Sequence, residues 1–191
     1  MSESLYFDVK VVPAGTGAGV WDHPYPDQLV QRFMPPDRRH GPMLGILQFG
    51  AIRPTPAILR NMVVTVGEDV KAGRYGDFSL FVCSEDEDTR NVIGDIAAAQ
   101  NLAMFVCASP SKLTDAEPAG VLTANDTETL GLVAKTGGTV TAPSLAADAG
   151  IEKTAAGNRL VSLQKKGFLQ RVERPHPEGD LFVDPRSVHI E

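Results

Sequence analysis

Thr154, Asn158, Ser162 and Lys165 recur at intervals of three and four, which makes them one stripe if the segment is helical. Ala155, Arg159 and Lys166 flank that stripe, and Lys153 stands at its start. These residue types suit contact with a DNA duplex. Arginine pairs with guanine, and asparagine with adenine, through two hydrogen bonds in the major groove. Thr154, Asn158 and Arg159 are therefore the candidate base contacts. Lys153 is placed for phosphate, where helix N-terminal N–H groups also point. Ser162, Lys165 and Lys166 complete the set on the helix. Beyond it, Arg171 and Arg174, with His176 close by, could reach backbone or minor groove. Glu178 and Asp180 argue against deep insertion there. Between Lys153 and Arg174 there are six basic residues and a single acid, Glu173. Binding through such cations falls with added salt. A solvated helix face is the alternative reading of the same residues.

Other constellations are weaker. Ser84, Asp86, Ser109, Ser111 and Lys112 follow two apolar runs, and the carboxyl ends of strands in open α/β sheets are where ligands bind. A small-molecule effector site is one reading of them; ordinary capping is the other. Neither GxGxxG nor GxxxxGK[ST] occurs, so a standard dinucleotide or P-loop site is not supported. The acidic run 84–88 would need a second acidic group from another turn to hold a metal, and reads as a solvated helix start. His23, His40, His176 and His189 are scattered, and no Ser/His/Asp set follows from their positions. A non-enzyme without cofactor or metal is expected. Residues 35–40 (PPDRRH) read as a basic surface loop. Cys83 and Cys107 sit in similar runs, LFVCS and MFVCAS. They read as buried strand thiols of a reducing, cytoplasmic compartment, an expectation that a disulfide between them would overturn.

These residues need elements to hold them. Residues 1–42 are the least regular: one strand at 6–12, then dense Gly and Pro, a short helix near 27–33, and Trp21, Tyr25 and Phe33 to pack the segment down. Residues 43–123 read as an α/β domain for sensing or dimerisation. MLGILQFGAI gives a buried strand. Thr55-Pro56 opens a helix whose apolar face is Leu59, Val63, Val66 and Val70, although the run 63–66 is β-branched. Strands at 78–83 and 102–107 bracket a helix that starts at acids 86–88, and both are apolar on both faces, as parallel strands covered by helices are. The expected fold is α/β, with a small three- to four-stranded, mostly parallel sheet, the fourth strand being a short one at 120–123. Residues 124–191 form the last unit: a helix ending at Gly137-Gly138, a short extended Thr139-Val140, a helix capped by Thr141, a Gly150 turn, a helix at 152–166, and a hairpin at 168–183.

That order is the order of a winged helix-turn-helix. Leu145-Ala146, Gly150-Ile151, Arg159-Leu160, Leu163 and Gly167 follow the pattern of the bacterial winged-helix transcription regulators, which residues 139–174 resemble. The resemblance implies a transcriptional regulator. Its recognition helix 152–166 would enter the major groove and its wing 168–183 would lie on the backbone, with a homodimer bound to double-stranded DNA. The alternative is a protein-interaction or assembly module whose winged helix packs on a protein partner. Either class leaves room for a small-molecule or protein effector.

Composition bounds these readings. The chain has 191 residues, net charge −6 and 42% hydrophobic residues, enough apolar content for a core. No run approaches the ~18 apolar residues of a membrane span, and the N-terminus lacks the pattern of a secretory leader. An acidic chain argues against a polyanion partner only if the charge is even. It is not: residues 1–138 carry 11 basic and 17 acidic residues, while 139–191 carry seven of each.

Overall fold

The computed structural model describes residues 8–13, 43–172 and 179–188. The expected helix at 27–33, the packing of Trp21, Tyr25 and Phe33, the loop 35–40, Arg174, Glu178 and all four histidines lie outside the described residues.

Five strands form the main sheet, in the order β1 (Asp8–Pro13), β2 (Met43–Gly50), β3 (Phe78–Ser84), β4 (Ala103–Cys107) and β5 (Glu117–Gly120). The first four run parallel and β5 is antiparallel to β4. This corrects the expected three or four strands. The N-terminal strand pairs with β2 along its whole length, Asp8 to Pro13 against Met43 to Gln48, so it belongs to the sheet. The short last strand lies at Glu117–Gly120 and not at 120–123. It carries Pro118, opposite Phe105, and a residue without an N–H is tolerated on an edge strand.

Side chains alternate across the sheet with the period of two that strands impose. Met43, Leu47, Phe49, Phe78, Leu80, Val82, Met104 and Val106 face one side. Helices α1 (Pro56–Lys71) and α2 (Glu87–Ala99) cover that side with Leu59, Met62, Val63, Val66, Ile93 and Ala97. The β-branched run 63–66 lies inside α1, and Val63 and Val66 are fully buried. Packing of an apolar face outweighs the small propensity cost. Asp86 caps α2 by accepting the Thr89 N–H at 3.0 Å, and Asn101, at φ 52°, turns the chain out of it.

Leu44, Ile46, Phe81, Cys83, Phe105 and Cys107 face the other side. The C-terminal third covers it. There, α3 (Ala124–Lys135), β6 (Thr139–Thr141), α4 (Ala142–Ala149), α5 (Lys153–Lys165), β7 (Gln170–Val172) and β8 (Leu181–Val183) follow in order, and the three short strands make an antiparallel sheet ordered β6-β8-β7. Leu130, Val133, Leu145, Ala156, Leu160, Leu163, Phe168 and Phe182 join the sheet residues in one apolar cluster. Phe81 stacks on Phe105 at 4.9 Å between ring centroids, and Phe105 meets the edge of Phe168 at 5.3 Å. Each such pair adds about 0.5–1.5 kcal/mol beyond area burial. The strands therefore lie between two helix-bearing layers, and the second layer is the C-terminal unit itself.

Candidate nucleic-acid interface

The C-terminal unit is seated on the sheet by a polar junction as well as by its core. Ser79, fully buried at the start of β3, donates its hydroxyl hydrogen to the Gly167 carbonyl at 2.6 Å. Gln170, also buried, faces its amide oxygen to the Ser79 N–H at 3.0 Å and its nitrogen to the Asp77 carbonyl at 3.3 Å. Gln164, near the end of α5, donates to the Asp77 carboxylate. Gly167 follows α5 at φ 82°, and a Cβ there would lie 2.9 Å from the Phe78 carbonyl oxygen. Both the left-handed backbone and the close approach need glycine. The C-terminal end of α5 is thus fixed to the sheet.

Two capped turns orient the rest of α5. Thr141 caps α4, exchanging hydrogen bonds with Ser144 in both directions. Gly150, at φ 65°, ends α4, and the Ile151 N–H bonds back to the Ala146 carbonyl at 3.1 Å. Helix α5 then starts at Lys153, with Glu152 in the cap position. Ala156, Leu160 and Leu163 point into the core. The opposite stripe is open: Lys153, Thr154, Ala155, Asn158 and Lys165 are exposed and Ser162 is half-buried. Gly157 lies at the crossing with α4, where a Cβ would meet the Ala142 Cβ at 3.8 Å, an ordinary contact.

The five described cations of this stretch divide into two kinds. Arg159 bonds to Glu128 on α3 at 2.8 Å, with 23% of its side chain exposed. Lys166 bonds to Asp126 at 2.7 Å. Arg171 bonds to Asp180 across the hairpin at 2.6 Å. Three of the six basic residues between 153 and 174 therefore already face a carboxylate, and all three carboxylates come from outside that stretch. The local excess of positive charge read from the sequence is smaller in the fold. Lys153 and Lys165 are exposed and have no ion pair among the described residues.

Asp126 is the most built of these partners. It is buried and closes a capping box with Thr123, accepting the Thr123 N–H at 2.8 Å and its hydroxyl at 2.7 Å. Burial pushes its carboxyl pKa up, but the Lys166 ammonium and the two Thr123 donors outweigh burial and hold it below the usual range. Its Thr-x-x-Asp spacing is a capping-box pattern legible in the sequence. Glu128 and Asp180 carry no comparable signal as partners, because their positions follow from tertiary packing.

The residues considered for a small-molecule site are engaged locally. The Ser84 hydroxyl accepts the Asp86 N–H at 3.3 Å. Asp86 bonds to Thr89 and pairs with Arg53 at 2.5 Å; the Thr89 hydroxyl, its N–H and Arg53 hold that carboxyl below its ordinary value. Ser109 caps a short 3-10 turn (Pro110–Asp115), and its hydroxyl lies 3.0 Å from that of Ser111. Lys112 is exposed on that turn. Among the described residues, no three His, Cys, Asp or Glu side chains are grouped to hold a metal ion, and no helix is long and apolar enough to cross a membrane. No family model, curated protein or solved structure matches the chain.

Proposed function

We propose that the C-terminal unit is a winged helix-turn-helix that binds double-stranded DNA, with α5 as the recognition helix, and that the chain is a transcriptional regulator. The observation that carries the reading is the free stripe on α5. The helix buries one face in the core and its C-terminal end at the junction with β3, and leaves Lys153, Thr154, Asn158 and Lys165 to solvent. Element order supports it too, since in a helix-turn-helix the second helix of the pair docks in the major groove, and here α4, the Gly150 turn, α5 and a hairpin follow in that order.

Under this reading Thr154 and Asn158 meet base edges, while Lys153 and Lys165 meet phosphates. Arg159, Lys166 and Arg171 act first as supports through Glu128, Asp126 and Asp180. Two copies on a two-fold site are the expected stoichiometry. A protein partner is the second reading, favoured by the pairing of three of the six cations.

Selection from a randomised duplex pool tests the proposal. Wild type should enrich a defined sequence. Asn158→Ala should relax preference at an adenine position by about 1–3 kcal/mol, the worth of a paired base contact. Equal retention of every sequence would sink the sequence-specific reading. No retention of duplex by folded protein would favour a protein partner.

A further inference from the structure

The tripeptides Phe81-Val82-Cys83 and Phe105-Val106-Cys107 pair residue for residue between β3 and β4. Their likeness in the sequence is therefore a spatial register. Adjacent strands run about 4.8 Å apart, inside the roughly 4.4–6.8 Å range of Cα separations that a disulfide needs. Both thiols are free and buried, and both point to the face that carries the C-terminal unit. Their sulfurs lie 2.7 Å apart. This is a preset pair, and nothing in the proposed DNA contact uses it.

We propose that Cys83 and Cys107 form a reversible, peroxide-oxidisable dithiol. Cys107 is the thiol that reacts first. The hydrogen bond from Cys83 lowers its pKa, and the Ser109 N–H and the nearby Arg90 guanidinium act in the same direction against burial. Cys83 keeps its proton, since its hydrogen bond to Cys107 and its burial both raise its pKa. Arg90 is held at the strand ends by the Ser84 and Glu85 carbonyls, at 2.8 and 2.9 Å.

The chemistry balances with hydrogen peroxide as oxidant. The Cys107 thiolate attacks one peroxide oxygen, the O–O bond breaks, and hydroxide leaves, giving a sulfenic acid. Hydroxide takes the Cys83 proton and becomes water. The Cys83 thiolate then attacks the Cys107 sulfur, the S–O bond breaks, and a second hydroxide departs. Two electrons pass from the sulfurs to peroxide, and a small dithiol reductant reverses the change, so the pair rests as the free thiols of the structure and is a disulfide only after oxidant. Burial of both sulfurs keeps out bulky disulfide donors, so a small peroxide is the fitting oxidant class.

The test uses the folded, full-length chain. It is treated with hydrogen peroxide, quenched, denatured in N-ethylmaleimide and weighed intact, with a non-reducing gel alongside. The expected product is monomeric, carries no adduct, and is two hydrogens lighter than the reduced chain. Reduction with dithiothreitol should restore two adducts. A dimedone adduct on Cys107 in Cys83→Ser supports the order of the steps. Two adducts after peroxide, a gain of two or more oxygen atoms, or a disulfide between chains would overturn the proposal.

Discussion

Asp126 carries more of the C-terminal unit than its single charge suggests. It caps α3 through Thr123 and receives Lys166 from the end of α5, so one carboxylate joins two helices. Its folded pKa is depressed, so its contribution is complete above the unfolded carboxyl value of about 3.9 and is lost as pH falls toward the folded value. Asp126→Asn should cost about 1–3 kcal/mol at pH 7. Measured by urea unfolding at pH 7 and pH 3, wild type should lose more stability on acidification than the variant. Equal losses would show that Asp126 does not carry the linkage. The Thr123-x-x-Asp126 spacing is a capping-box signal that the reading of the sequence left unused. The partnership with Lys166, 40 residues later, was not legible there, because only the packing of α3 against α5 creates it. The same reason hid the pairing of Arg159 with Glu128.

Helix α5 was readable as an element almost to its ends. Its apolar residues at 156, 160 and 163 recur at helical spacing, and the structure buries all three. Gly157 departs from helix propensity, and its surroundings leave room for a methyl group. Gly157→Ala should therefore stabilise the chain by about 1 kcal/mol and raise Tm by about 2–4 °C, as read by calorimetry. A loss of stability would mean that the crossing of α4 and α5 is tighter than the 3.8 Å contact indicates. The parallel strands were legible from their two-sided apolar runs. The edge strand β5 was not. Glu117–Gly120 has no apolar alternation and contains Pro118, and only pairing with β4 makes it a strand.

At the scale of the whole molecule, the C-terminal third and the sheet share one apolar cluster and the Ser79, Gln170 and Gly167 junction. The apolar second face of β3 and β4 signalled that a layer must cover it; which segment does so depends on contacts far apart in the chain. Because the two layers share that cluster, denaturant unfolding followed by far-UV and near-UV circular dichroism should give one coincident transition. Two separate transitions would make the C-terminal unit an independent domain. A unit seated in this way presents α5 in a fixed orientation, and the proposed DNA binding would depend on the side chains that helix offers. Duplex affinity measured against salt concentration tests this most directly. Wild type should bind with a steep negative slope, and Lys153→Ala with Lys165→Ala should lower the slope magnitude by about 1.8, at ~0.9 for each phosphate no longer neutralised. Arg159→Ala should leave the slope unchanged. A folded wild type that binds no duplex at low salt, or a slope indifferent to both lysines, would contradict the assignment of α5 as the recognition helix.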